Sequence, residues 1–206
     1  MRLQQYINEE ALTRESYISL IKRDCKPFLK NMGDPLYRSL DLKNNFQKKR
    51  TRKNRHPVDT PRIMHNLLDN AFKKKFGWKP RSEGVFVSPQ KVSGYGANTA
   101  YFFPIGKYKY MWSKEIGDLF VELRKRSGFL YDYVSRLQLG ESLLPSEIKK
   151  IENYVEGSIV NKYTDKNLKG NTSKELMFKC DSYYVMNIAL YTIGELMYEL
   201  FSKETK

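Results

Sequence analysis

The chain is poor in the residues that build disulfides and metal sites. It has two cysteines and two histidines among 206 residues, and Cys25 and Cys180 lie far apart with no metal-type spacing. We therefore predict two free thiols in a reducing compartment, which favours a cytoplasmic protein without a bound metal. His65 has no cysteine or carboxylate cluster beside it, so we interpret it as a packing residue.

Long apolar stretches are also lacking. No run approaches the roughly 18 consecutive apolar residues of a membrane span, and the polar N-terminal residues lack the apolar core of a signal peptide. Walker, GxGxxG and HExxH motifs, Cys-His zinc patterns and internal repeats are absent too. The hydrophobic content of 40% is high enough for a folded core, so we expect one domain spanning residues 1–206 that does not bind a membrane.

Acidic residues are scarce in one part of the chain. Between Lys22 and Arg81 there are 18 Lys and Arg against five Asp, whereas the residues from Ser82 onward carry 17 basic and 15 acidic side chains. The excess is densest in a predicted basic loop, residues 41–60. Its cations suit a polyanion such as a nucleic acid or an acidic protein face, or the phosphates of a dinucleotide; the alternative is a solvated loop without a partner. The candidate binding residues are Lys48, Lys49, Arg50, Arg52, Lys53 and Arg55.

The spacing of apolar residues predicts a chain with both helices and strands. Helical periodicity marks a lead-in within residues 1–34, an insertion within residues 114–160 and a C-terminal helix. The most regular helix is predicted over residues 61–76, with Thr60 as its N-cap and Gly77 ending it. Strand-like runs are expected at residues 36–40, 85–88, 99–105 and 108–112 and from Leu176 onward. A tight turn at Gly106-Lys107 is expected to join the runs at 99–105 and 108–112.

Three polar residues stand out in these strands. Arg38 interrupts an apolar strand, where its guanidinium needs a phosphate or carboxylate partner, or else a structural salt bridge. Ser88 ends a strand and can either hold a ligand hydroxyl or serve as a turn serine. Glu175 lies at the mouth of a strand, where a carboxylate can stabilise positive charge developing on a sugar; a solvated glutamate is the alternative.

The order Arg, Ser, Glu resembles the Arg-Ser-Glu class of mono-ADP-ribosyltransferases. The matching stretches are Leu36-Tyr37-Arg38, Phe86-Val87-Ser88 and Glu175, with Cys25-Lys26-Pro27-Phe28-Leu29 as the helical lead-in. The resemblance covers roughly residues 25–187. A wider set of motifs is similar to small uncharacterised proteins of tailed bacteriophages, namely Asp59-Thr60-Pro61, Arg81-Ser82, Tyr95-Gly96, Phe103-Pro104-Ile105-Gly106 and Trp112-Ser113.

This resemblance implies an α+β fold with a split two-sheet β core, an N-terminal helical lead-in and flanking helices, which binds NAD as a substrate between the sheets. Arg38 would contact the NAD phosphate or the nicotinamide ribose, and Ser88 would hold that ribose and the glutamate. Glu175 would be the catalytic residue that stabilises the transition state as nicotinamide leaves. Tyr95 is a candidate for stacking on the nicotinamide ring, although a packed core tyrosine is the alternative.

The sequence departs from the family pattern in ways that affect the acceptor. Ser39 replaces the usual glycine after the arginine, and the Ser-Thr-Ser signature is reduced to Val87-Ser88-Pro89. Ser173 stands two residues before Glu175, where arginine-modifying members carry Glu or Gln. We therefore expect ADP-ribose transfer to a host protein or nucleic acid at a group other than arginine, in the host cytoplasm if the protein is phage-encoded. Simple NAD hydrolysis and an inactive module that binds nucleic acid or a host protein remain the alternatives.

Overall fold

The described part of the chain forms two antiparallel sheets of four strands each. We analyse a computed structural model, of which residues 13–55, 59–91, 98–126, 128–170 and 175–202 are described. The strands are β1 (Tyr37–Leu40), β2 (Phe46–Arg50), β3 (Val85–Val87), β4 (Asn98–Pro104), β5 (Lys109–Ser113), β6 (Tyr163–Thr164), β7 (Leu176–Lys179) and β8 (Ser182–Asn187). Sheet 1 has the order β1-β4-β8-β2 and sheet 2 the order β3-β7-β5-β6. The predicted α+β class and two-sheet core are thus confirmed.

Helices flank the sheets and follow the periodicity of the sequence. They are α1 (Arg14–Asp24), α2 (Lys26–Asn31), α3 (Arg62–Phe76), α4 (Pro80–Glu83), α5 (Leu119–Leu123), α6 (Tyr131–Gln138), α7 (Pro145–Tyr154) and α8 (Ile193–Phe201). A π-helical turn over Val155–Ile159 extends α7, and short 3-10 turns lie at Val160–Lys162, Leu168–Gly170 and Ile188–Leu190. The predicted helix ending at Gly77 is confirmed, because Gly77 closes α3 with a φ of 76°, which a residue with a Cβ rarely adopts.

A short turn at Gly106-Lys107 joins β4 to β5, as predicted, but the two strands do not pair with each other. β4 already lies between β1 and β8 in sheet 1, so it offers no free edge to β5. The chain instead crosses to sheet 2 at Gly106, whose φ is 67° and whose N–H donates to the carbonyl of Asp24. The same crossing occurs in the short connection between β7 and β8, which produces the split core.

The sequence predicted a basic loop over residues 41–60. This prediction is wrong for part of the segment, which forms a strand. Residues 46–50 form β2, which pairs with β8 over five residue pairs at the edge of sheet 1. The Phe46 ring stacks on Tyr17 and Tyr184, with centroids 4.5 and 4.8 Å apart, and so anchors a strand that is otherwise polar. Edge strands accept charged side chains because one of their sides faces solvent, which is why the charge pattern concealed this strand.

Strand β7 separates two hydrophobic cores. Leu176 and Phe178 point into the core shared with sheet 1, α1, α2 and α8, while Met177 points into the core formed with α3 and the helices between β5 and β6. All three side chains are fully buried. The Phe178 ring lies within 6.0 Å of the rings of Phe28 and Phe102, and therefore ties α2 and sheet 1 to sheet 2.

The two cysteines are free thiols, as predicted. Both are buried, and burial raises the pKa of Cys25 to about 12 and that of Cys180 to about 11. A thiol with such a pKa is not ionised near neutral pH and is a poor nucleophile. Neither cysteine is therefore a candidate for covalent chemistry.

Membrane-spanning helices and metal-binding groups are both absent from the residues that the structure describes. None of the helices is long and apolar enough to cross a membrane. No three His, Cys, Asp or Glu side chains come together in a group that could hold a metal ion.

Replacing Phe178 with alanine is expected to destabilise the protein by about 3 to 5 kcal/mol, because it leaves a cavity between the sheets. Urea denaturation followed by circular dichroism measures this change. Phe201→Ala is the matched control, since Phe201 is 48% exposed on α8 and its loss should cost less than about 1 kcal/mol. Similar losses in the two variants would contradict a core centred on β7.

Candidate active site

The strand pairing sets Ser88 opposite Glu175 and beside Tyr37, the residue that precedes Arg38. β3 and β7 pair with Val87 opposite Leu176, so the antiparallel register carries Ser88 opposite Glu175. Ser88 also bridges to sheet 1, because its N–H donates to the Tyr37 carbonyl at 2.9 Å and its carbonyl accepts from the Tyr37 N–H at 2.7 Å. Arg38 is the next residue after Tyr37 on β1. The strands therefore bring the backbones of these residues close together, whereas the Arg38 guanidinium lies over the Tyr183 ring and is not among the main charges that act on Glu175.

The Arg38 guanidinium is half-buried on β1. Its Nη1 donates to the Phe86 carbonyl at 2.9 Å, and its Cζ lies 5.7 Å from the centroid of the Tyr183 ring. Within the described residues, its buried Nε has no hydrogen-bond acceptor and no carboxylate lies within ion-pair distance. A partly buried cation without a counter-charge is well suited to bind an anion.

Glu175 lies in an environment that opposes its ionisation. Burial, followed by the negative charge of Asp118, raises its pKa to about 7. Arg81, Arg55 and a hydrogen bond from the Leu119 backbone N–H act in the opposite direction. Because Asp118 is the N-cap of α5, that helix fixes both the donor and the repelling charge beside Glu175. The carboxyl group consequently changes its charge near neutral pH.

Arg55 was predicted as part of a partner-binding surface, but the structure also places it beside this site. Its backbone N–H donates to the Ser82 carbonyl at 3.1 Å, and its guanidinium lies 4.8 Å above the Phe86 ring. Desolvation lowers the pKa of Arg55, and repulsion from Arg38 and Arg81 adds to this effect. The residue as a whole is exposed, so the desolvation is local to the guanidinium that lies on the ring.

Arg81 is a site residue that the sequence did not single out. It is 7% exposed, its Nη2 donates to the Thr60 hydroxyl at 2.9 Å, and its backbone N–H donates to Asp69 at 2.9 Å. Burial lowers its pKa, while the charges of Glu175 and Asp69 oppose that shift. A buried arginine is a costly feature, and the basic composition of the segment gave no means of distinguishing Arg81 from its exposed neighbours.

The prediction that Thr60 caps α3 is wrong. Pro61 occupies the N-cap position without a side-chain hydrogen bond, and the Thr60 hydroxyl accepts from Arg81 instead. Leaving a buried guanidinium without a hydrogen bond costs more free energy than leaving a helix end uncapped, because water can bind the exposed N–H groups at the helix end.

His65 is buried, as its interpretation as a packing residue requires, and also takes part in a hydrogen-bonded cluster. Ser82 Oγ donates to Asp69 Oδ2, and His65 Nε2 lies 3.0 Å from Ser82 Oγ. Since a hydroxyl has one hydrogen, His65 must donate to Ser82 rather than remove its proton. The cluster therefore holds α4 and Arg81 against α3, and Ser82 is not an activated nucleophile.

Ser88 is buried and has a structural role of its own. Its Oγ accepts from the Gln90 backbone N–H at 3.0 Å, which is the turn-serine alternative left open by the sequence. This bond uses an acceptor site of the hydroxyl and leaves its hydrogen for another partner. Tyr95 and Ser173, the other residues of interest to the resemblance, lie outside the described residues.

The six basic candidates do not share one surface. Lys48 and Arg50 follow Phe46 on the α1 side of β2, whereas Lys49 pairs with Tyr183 and lies on the Arg38 side of sheet 1. Arg52 and Lys53 are exposed in the turn that leaves β2. None of the six forms an ion pair with a carboxylate in the described part of the chain.

Well-formed grooves elsewhere in the described protein lack this combination of groups. The groove between α1 and α8, about 350 Å³ in volume, is lined by both acidic and basic side chains. A second groove of about 620 Å³ is lined by Tyr108, Tyr110 and three lysines, and its carboxylate, Asp181, is exposed. The junction of the sheets is therefore the better candidate, because it combines a perturbed acid with cations that lack counter-charges.

Comparison with protein-family models, with curated proteins and with solved structures finds no match.

We expect the stability of the protein to fall as the pH rises from about 4.5 to about 7. The raised pKa of Glu175 means that the folded protein holds a proton in this window that the unfolded chain has released. The full shift, from 4.5 to about 7, corresponds to about 3 to 4 kcal/mol. Urea denaturation across this pH range should show the decline for the wild type and a flatter profile for Glu175→Gln.

Glu199→Gln, at an exposed position on α8, is the control and should keep the wild-type profile. The pH profile is the measured quantity, because Glu175→Gln also removes a counter-charge of Arg81 and can change the absolute stability. Parallel profiles for the wild type and Glu175→Gln would show that Glu175 ionises normally.

Proposed function

We propose that the protein is an NAD-dependent ADP-ribosyltransferase whose reaction takes place at the junction of the two sheets. The observation that supports this proposal is that the β3–β7 register sets Ser88 opposite Glu175, while the Tyr37–Ser88 bridge brings β1, with Arg38, alongside β3. It accords with the resemblance of these residues to the Arg-Ser-Glu class and of the wider motifs to phage proteins.

The cations of the site suit the diphosphate of NAD. Arg38 lacks a carboxylate partner among the described residues, and its buried Nε lacks an acceptor. Arg55 adds a second guanidinium on the same side, and their mutual repulsion is relieved when an anion lies between them. A guanidinium offers donors in a planar fork that matches phosphate oxygens. We assign diphosphate binding to Arg38, with Arg55 in support.

Glu175 supplies the negative charge that the chemistry needs. When the bond between ribose C1′ and the nicotinamide nitrogen breaks, both electrons leave with nicotinamide and positive charge develops on the ribose. A carboxylate placed in advance beside this position stabilises the charge more than water does, because it does not reorganise during the reaction. The Ser88 hydroxyl, opposite Glu175, has a hydrogen left to orient either the carboxylate or a ribose hydroxyl.

The acceptor is proposed to be a group other than arginine. Ser173 cannot provide the carboxylate or amide that arginine-modifying members carry two residues before the glutamate. The acceptor is then a nucleophile of a host macromolecule, while transfer to water amounts to NAD hydrolysis. In either case the nucleophile bonds to C1′ and gives up one proton.

The test is release of nicotinamide from NAD by the purified protein. Glu175→Gln is expected to lower the rate by about 100-fold to 1,000-fold, because it removes the transition-state charge but keeps the side-chain shape. Arg38→Lys should raise the KM for NAD about tenfold by losing the forked hydrogen bonds. Glu199→Gln, far from the site, is the matched control and should behave as the wild type. Equal rates for the wild type and Glu175→Gln would overturn the assignment.

The rate of nicotinamide release is expected to rise with pH and to level off above about 7. Glu175 stabilises the transition state only when ionised, and burial raises its pKa to about 7. Measuring kcat/KM from pH 5 to pH 9 would report the pKa of this group in the free protein. A profile that is flat, or that falls with pH over the acidic half of the range, would show that Glu175 acts in another way.

A second candidate is an inactive relative of the enzyme that binds a polyanion. Six cations of the basic segment without carboxylate partners among the described residues favour it. This candidate predicts no nicotinamide release under any condition, and it predicts that Glu175→Gln binds its partner normally.

A further inference from the structure

The turn after β2 presents cations that the candidate active site does not use. We define the basic turn as Arg50, Arg52 and Lys53, all of which are exposed. Asn54 bends the chain with a φ of 59° directly after them. None of the three pairs with a carboxylate in the described residues. Like charges this close repel one another, so a bound polyanion would stabilise the arrangement.

The basic turn is held at both ends. The Thr51 backbone N–H donates to the Asp181 carbonyl at 3.0 Å, and the Arg55 backbone N–H donates to the Ser82 carbonyl at 3.1 Å. Thr51 Oγ1 also lies 3.7 Å from Cys180 Sγ. The cations are thus carried by a segment attached to both sheet 1 and α4. Less conformational entropy is lost on binding than if the segment were free.

The basic turn leads directly to the proposed catalytic residue. Arg55 follows the turn, and its guanidinium lies 4.8 Å above the ring of Phe86 on β3, the strand whose register sets Ser88 opposite Glu175. The proposed function assigns Arg38 and Arg55 to the diphosphate of NAD, so the cations of the basic turn remain available for a second anion. A polyanion bound along the turn would extend toward the atoms at which ADP-ribose is transferred.

The chemistry of this surface favours a nucleic acid over a protein. Protein interfaces have apolar or aromatic centres and contain few lysines, whereas nucleic-acid interfaces are polar and strongly positive. None of the large exposed hydrophobic side chains of the described residues lies between Lys48 and Arg55. A single strand fits better than a duplex, because its bases can leave the stack and reach the half-buried Glu175.

We propose that the acceptor of ADP-ribose is a single-stranded nucleic acid that Arg50, Arg52 and Lys53 bind and direct toward Glu175. This inference rests on the proposed function for its transfer step. In that step the C1′–nicotinamide bond breaks and nicotinamide leaves with the electron pair. A nitrogen or oxygen of the nucleic acid bonds to C1′ and releases its proton to water, so the products are nicotinamide, the modified strand and one proton.

The experiment uses the full chain and a variant in which Arg50, Arg52 and Lys53 are all changed to Gln. Fluorescence anisotropy measures the binding of a labelled single-stranded RNA and its DNA counterpart at several salt concentrations. Transfer of radiolabelled ADP-ribose to each strand and release of nicotinamide are measured in parallel. The control variant changes three exposed lysines on separate helices to Gln, which removes the same charge: Lys26, Lys73 and Lys150.

The wild type and the control are expected to bind the strand and to label it. The basic-turn variant should bind at least about tenfold more weakly, with a salt dependence reduced by about 2 in the log–log slope, since it loses three phosphate contacts. Strand labelling should fall in parallel, while nicotinamide release without the strand should stay within about twofold of the wild type.

Three results would overturn the inference. Equal losses in the control variant would show an effect of net charge alone. Binding of polyglutamate as tight as binding of the strand would indicate an acidic protein partner. Nicotinamide release that is lost in Glu175→Gln, without labelling of either strand, would leave the enzyme intact and exclude this acceptor. Absence of release under all conditions, with normal strand binding, would instead overturn the proposed function and with it the transfer step.

Discussion

The burial of β7 on both faces is the constraint on which the candidate site depends. Leu176 and Phe178 fill the core between the sheets and Met177 fills the core beneath the helices, each without exposed surface. A slip of one residue would exchange these side chains between two differently shaped cores. The strand therefore has one register, and that register places Glu175 opposite Ser88. The position of a polar residue at the mouth of the strand is thus set by packing along its length.

The candidate site also depends on the charges around Glu175, at the start of β7, which act on its pKa in opposite directions. Burial and the negative charge of Asp118 raise the pKa of Glu175, while the positive charges of Arg81 and Arg55 lower it. Arg81 is in turn buried and depends on Asp69 and Glu175 as counter-charges. A site that served stability alone would pair these charges closely or omit them. Their partial compensation leaves a carboxyl group that can change its charge and cations that can accept an anion, which are properties of a binding site.

The sequence predicted the elements whose evidence lies within a few residues. The helical stripe from Met64 to Phe72, the glycine that ends α3 and the start of the strand after Glu175 were recognisable from local spacing. The single strand expected to continue to Tyr184 is instead two strands, β7 and β8, which belong to different sheets. β2 was missed because its one aromatic anchor, Phe46, packs against Tyr17 and Tyr184, which are distant in sequence. The sequence did not show that β4 and β5, which are joined at Gly106, belong to different sheets, because the choice of sheet depends on which strand edges are already occupied. Of the candidate site, Arg38, Ser88 and Glu175 could be singled out, but Arg81 and Asp118 could not. Their importance arises only from proximity to Glu175.

The basic side chains of this segment point in different directions because of the backbone geometry, which the amino-acid composition does not show. Between Lys48 and Arg55 the sequence shows a single basic run, yet strand alternation directs Lys48 toward α1 and Lys49 toward the face of Tyr183. In the turn that follows, Arg52 and Lys53 are exposed to solvent. Arg55, after the turn, packs on the Phe86 ring. In the proposed function a dinucleotide would contact only the last of these positions, whereas a strand lying on the turn would contact several. The proposed donor and the proposed acceptor would therefore use different side chains of one basic segment.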